Sequence, residues 1–157
     1  MRYLTLFIIA IVLGTAACKK HDCSDLKADY FVFGRAYGMC GGPNCAQFYK
    51  IQDGQVFADN MDYYMYENVF TFNTTPLSPA KYNIARPAMT AFPAYMTANP
   101  GQTWGCPDCH DQGGFHFAWS ENGVTHFWHV DTDIAAQPSV IRPYIAQVND
   151  ILNQLGN

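Results

Sequence analysis

The chain has 157 residues, a formal net charge of −4 and only 14% charged residues, against 49% hydrophobic and 15% aromatic ones. With no basic cluster beyond Lys19-Lys20 it lacks the concentrated positive face that nucleic-acid binding requires, so that class of partner is set aside. Ten Tyr, eleven Phe and three Trp, many in alternating runs, point to a β-rich, tightly packed exported domain. Each aromatic cluster reads first as core or sheet surface, with a carbohydrate or peptide platform as the alternative.

The opening MRYLTLFIIAIVLGTAACKK sets Arg2 before an apolar stretch from Tyr3 to Leu13, then Gly14-Thr15-Ala16-Ala17 and Cys18. At ~1.5 Å per residue, such a stretch spans about 16 Å as a helix, well short of the roughly 30 Å hydrocarbon core of a bilayer. It therefore reads as an export signal and not as a spanning helix. LGTAAC resembles the lipobox of bacterial lipoproteins. That resemblance implies cleavage before Cys18, a lipid-modified Cys18 as the new N-terminus, and a membrane held through the lipid anchor. Lys19-Lys20, in place of an Asp after the cysteine, imply the outer membrane within the cell envelope. The expected division is a signal peptide over 1–17, a lipidated N-terminus and polar tether over 18–28, and one domain over 29–157. Without residues 1–17 the formal charge becomes −5, because Arg2 is lost.

Taken in order, YFVFGRAY (30–37) alternates as a strand, with Phe31, Phe33, Arg35 and Tyr37 on one face and Tyr30, Val32 and Ala36 on the other. CGGPNC makes a loop, AQFYKI a second strand, Asp53-Gly54 a turn, and residues 55–58 a short third strand. NVFTFN (68–73) suggests a further strand, after a YYMY segment whose conformation the pattern leaves open. Ser78-Pro79 starts a helical region that Pro87 and Pro93 break into two short or kinked helices before residue 97. Residues 98–113 read as a loop. In FHFAWSENGVTHFWHV, Asn122-Gly123 predicts a type I′ turn that places Trp119 opposite His126, Phe117 opposite Trp128 and His116 opposite His129, with a three-residue bulged turn as the alternative. After Pro138-Ser139, a stripe of Val140, Ile141, Tyr144, Ile145, Val148, Ile151, Leu152 and Leu155 predicts a C-terminal amphipathic helix. The expected fold is α+β: an antiparallel sheet of about four to five strands with helices packed on one face. The pattern loosely resembles small exported lipoproteins, which implies a class and no activity.

Sulfur carries the most explicit motifs. The cysteines stand at 18, 23, 40, 45, 106 and 109. If Cys18 carries lipid, Cys23 is odd, and the spacings favour two short-range disulfides, Cys40/Cys45 and Cys106/Cys109, worth about 2 kcal/mol each in the chain-entropy model. Cross-pairing stays open. CPDCH, Cys106 to His110, matches the attachment signature of c-type haem, which would bind through Cys106 and Cys109 with His110 as axial ligand and Met89, Met96 or a hairpin histidine as the second. Such pentads commonly lie on helices, whereas here Gly113-Gly114 and a strand follow. Cys-Pro-x-Cys is also similar to thioredoxin-like motifs, without their flanking strand and helix. The four internal cysteines, Cys40, Cys45, Cys106 and Cys109, could alternatively hold zinc.

His116 and His129, with Asp131 on the same face, could share a copper or zinc ion. Two exposed imidazoles on a solvated face are the simpler account, in which replacing either leaves stability nearly unchanged. No G-x-S-x-G elbow, glycine-rich phosphate loop or H-E-x-x-H occurs, and Glu67 and Glu121 are the only glutamates. The reading therefore leans away from an enzyme. It favours a lipid-anchored, disulfide-stabilised envelope domain that binds a protein or small molecule or gives structural support, with no cofactor; haem c is the alternative.

Overall fold

The computed structural model describes residues 28–42, 45–65 and 68–156. Six strands form one sheet: β1 (Tyr30–Ala36), β2 (Ala46–Gln52), β3 (Gln55–Ala58), β4 (Thr103–Trp104), β5 (Gly114–Glu121) and β6 (Val124–Asp131), in the order β3-β2-β1-β5-β6-β4. The fold is α+β, but the sheet is mixed and larger than the four to five antiparallel strands expected. The additional strand is β4, two residues that pair parallel with His129 and Val130. So short a strand has no periodicity from which to predict it.

The hairpin follows its turn chemistry. Asn122 and Gly123 both adopt positive φ, at 52° and 76°, and the register sets Glu121 opposite Val124, Phe117 opposite Trp128 and His116 opposite His129. A two-residue I′ turn matches the right-handed twist of its strands. Residues 68–73 do not form the expected strand; Phe72 makes only an isolated bridge to Asp59.

Helix α1 (Pro79–Thr90) begins where Ser78 accepts a hydrogen bond from the Lys81 N–H, and it runs through Pro87. Pro93 is the residue that separates it from α2 (Ala94–Thr97). Helix α3 (Arg142–Gly156) buries Tyr144, Ile145, Val148, Ile151, Leu152 and Leu155, each such side chain contributing about 1.5–3 kcal/mol. Val140 lies before the helix and is exposed, outside the apolar stripe expected for it. Among the described residues, no helix is long and apolar enough to cross a membrane.

The helices cover the face that carries Phe31, Phe33, Tyr49, Ile51, Phe117 and Trp128. The Trp128 indole donates to the Met96 and Asn99 carbonyls, which fixes the end of α2 on the sheet. The opposite face is covered as well. Tyr64, Met61, Phe70 and Phe72, from the irregular segment after β3, pack on Val32, Ala36, Phe48 and Ala118. Asn73 and Leu77 donate to the Ala58 and Val56 carbonyls outside β3, and on the other side Gly101 donates to the Phe127 carbonyl as the chain enters β4 along β6.

Candidate functional site

Across the second face runs one cross-strand row, Phe48, Gly34, His116 and His129, set by the register of β2, β1, β5 and β6. A Cβ at Gly34 would collide with the Phe48 ring and the Gln47 carbonyl. The missing side chain lets Phe48 lie over the strand toward His116, with ring centroids 5.9 Å apart. Tyr64 closes over the same imidazole at 4.9 Å. His116 is fully buried and His129 half-buried, so the expected pair of exposed imidazoles on a solvated face is corrected. The cover over this face comes from Met61 and Tyr64, whose segment the pattern left open, and from Phe70 and Phe72 of the stretch expected as a strand.

The two Nδ1 atoms stand 2.7 Å apart. One ring must carry its proton on Nδ1 while the other offers a lone pair, so the bonded pair holds at most one charge. Burial, and secondarily the neighbouring His129, lower the His116 pKa to about 3; burial lowers that of His129 too. Burial likewise pushes the Tyr64 hydroxyl up to about 12. Asp131 does not join the histidines. Burial alone would raise its carboxyl, but N–H donors from Asp133, Cys106, Gln112 and Thr132 outweigh that and lower it. No three His, Cys, Asp or Glu side chains among the described residues come together as a metal set.

Cys40 and Cys45 are bonded to each other, with Cα atoms 5.3 Å apart, as are Cys106 and Cys109, at 5.5 Å. The short-range connectivity is therefore the one found. Two sequence readings are corrected by it. Cross-pairing between the loops does not occur, and the four-thiolate zinc site fails because the sulfurs of Cys40, Cys45, Cys106 and Cys109 are bonded in pairs. Cys45 differs from expectation in a further way. Read from the sequence as the disulfide partner of Cys40 at the end of a loop, and alternatively as a zinc ligand, it is in addition 2% exposed and counts with the buried apolar residues. Its N–H donates to the Gly42 carbonyl and its own carbonyl accepts from the Tyr37 N–H, which seats it between the end of β1 and the start of β2. A buried cysteine behaves as a small apolar side chain, a role that the spacing of the thiols does not announce.

Cys18 and Cys23 lie outside the described residues. The CPDCH segment is a turn, with Asp108 and Asp111 at positive φ, and not a helix. Its backbone is held largely by oxygen and nitrogen: Asp131 accepts from the Cys106 N–H at 2.8 Å, Asp108 from the Gly113 and Gly38 N–H groups at 2.9 and 2.6 Å, and the Gln112 amide donates to the Cys106 carbonyl at 2.9 Å. The residues fit haem poorly. Both sulfurs of the motif are spent on each other, His110 is exposed at the turn, and Met96 is sealed in the core with Met89 packed against it.

Two grooves open near the β1–β2 end of the sheet. The smaller, about 390 Å³, lies among Met61, Tyr63, Tyr64, Met65 and Val69. The larger, about 840 Å³, is bordered by Arg35, Tyr37, Gln47, Tyr49, Asp62 and Asn153. No family model, curated protein or solved structure matches this chain.

The walls of the larger groove are tied together by an amide network. Arg35 donates from Nε to Gln47 Oε1 and from Nη1 to Asn149 Oδ1, both at 3.1 Å. Gln47 in turn donates from Nε2 to the Leu152 carbonyl at 2.7 Å and to the Tyr49 hydroxyl at 3.3 Å. Arg35, Gln47 and Tyr49 show in the sequence only as members of alternating strands, and Asn149 only as a polar position of the C-terminal helix. The only available hint was Arg35 on the face of β1 otherwise given to Phe31 and Phe33.

Proposed function

We propose that the chain is a lipid-anchored protein of the cell envelope whose disulfide-stabilised domain works by binding. The two disulfides and the α+β core make the domain compact and suited to an oxidising compartment. The observation that carries the binding role is the larger groove, whose polar lining is fixed by hydrogen bonds to α3 before any ligand arrives. Pre-organised polar groups in a concave site of several hundred Å³ are what small-ligand recognition requires.

Anchoring rests on the lipobox-like LGTAAC, and placement at the outer membrane on Lys19-Lys20 after the cysteine. Two or three acyl chains, at ~0.8 kcal/mol per buried CH2, hold a protein to a membrane almost irreversibly. Cells fed an alkyne-bearing fatty acid should label the wild-type protein and leave Cys18→Ala unlabelled. Equal labelling of both would remove the anchor from this reading.

A further inference from the structure

The larger groove holds opposite charges that do not neutralise each other. Arg35 is half-buried, and among the described residues its side-chain hydrogen bonds go to the neutral carboxamides of Gln47 and Asn149. Those bonds leave the remaining members of its five N–H donors uncommitted and fix the guanidinium plane. Two carboxylates share the lining. Asp59 is half-buried and spends both oxygens on the chain, accepting from the Phe48 N–H at 2.6 Å and the Met61 N–H at 3.0 Å, so its role is to shape the wall. Asp62 is exposed and makes no side-chain hydrogen bond or ion pair among the described residues. The lining also carries the carboxamides of Gln47, Asn60 and Asn153 and the rings of Tyr37 and Tyr49.

A fixed guanidinium without a carboxylate partner is a carboxylate receptor, because its fork matches two oxygens at once. A solvated Asp on the same groove supplies the complementary site for an ammonium. The exposed Asn60 carboxamide, whose Oδ1 accepts from the Thr71 hydroxyl, keeps its amide N–H groups for the C=O of a peptide bond. We propose that this groove binds a short peptide with both termini free, Arg35 gripping the terminal carboxylate and Asp62 facing the terminal ammonium. A volume of about 840 Å³ exceeds what a single amino acid fills and suits a few residues.

The inference rests on the binding role given above, and its test separates the two. Full-length protein in detergent micelles is titrated with trialanine, with trialanine amide and with N-acetyl-trialanine by calorimetry, and backbone amide spectra follow the groove residues. Trialanine should bind and perturb Gln47, Asn60 and Asn153; amidation should weaken it about tenfold or more, and acetylation by a smaller factor. Arg35→Lys, which keeps the charge and loses the fork, should weaken trialanine binding about tenfold while its spectrum stays that of a folded domain. Asp62→Asn, an exposed change that should not disturb folding, should abolish the difference between trialanine and its N-acetyl form. Equal affinity for trialanine and its amide, or no heat and no shifts with trialanine, overturns the proposal. In either case maltotriose and digalacturonate are added next. Shifts confined to the same groove would leave the binding role standing with a saccharide ligand, whereas silence from all probes would remove both.

Discussion

At the scale of single residues, Gly34 and His116 show how one face of a sheet acquires a polar centre. Gly34 has no Cβ, so Phe48 can occupy its place beside His116. Gly34→Ala should destabilise the domain by about 1–3 kcal/mol through overpacking, read as a lower urea midpoint at constant slope. His116 gives a pH signature. Its folded pKa is about 3 and the unfolded value about 6.5. Between those limits the unfolded chain binds a proton that the native state refuses, so stability falls as pH drops, by at most about 1.4 kcal/mol per pH unit from this group. The groups facing it are His129 and Tyr64; the half-buried His129, also lowered, acts in the same direction, and Tyr64 stays neutral throughout. Denaturant curves at pH 7 and pH 5 should separate by less in His116→Gln than in wild type. An unchanged separation would show that this imidazole does not govern the acid side.

At the scale of elements, what could be read in advance divides by whether the determinant is local. The β5–β6 register was legible because Asn122-Gly123 dictates a turn type and the alternation fixes each face. The start of α1 was legible in Ser78-Pro79, and α3 in its buried stripe. The two-residue β4 was not, since its pairing with β6 depends on contacts some 26 residues apart in sequence (Thr103 with His129). The cover over His116 was only partly legible: NVFTFN alternates, and its Phe70 and Phe72 do pack on this face, but without forming the strand that the alternation predicted, and Met61 and Tyr64 lie in a stretch with no period. The groove was the least visible feature of all. Arg35 meets Asn149 across 114 positions, and nothing in either local pattern refers to the other.

At the scale of the whole molecule, the two disulfides fasten neighbouring loops at one end of the sheet, where Ala36 faces both Ala46 and Gly114. The Gly38 N–H bond to Asp108 joins those loops directly. Each bridge closes a very short loop, so each should contribute only about 2 kcal/mol, while the aromatic core between sheet and helices spans the rest of the domain. Treatment with a phosphine reductant should therefore lower the melting temperature yet leave the near-ultraviolet dichroism of the buried tryptophans in place. Loss of that dichroism on reduction at room temperature would mean that the covalent links, and not the core, hold the native state.

The outer rows of the sheet have a consequence for molecules kept at high density on a surface. Sheets with bare margins recruit one another, rung by rung, into aggregates. Here segment 73–77 occupies the flank of β3, and residues 101–104 occupy that of β6, leaving a two-residue strand outermost. Copies of this domain packed side by side would meet one another through an occupied flank on one side and a two-residue strand on the other, neither of which offers a long bare edge to zip onto.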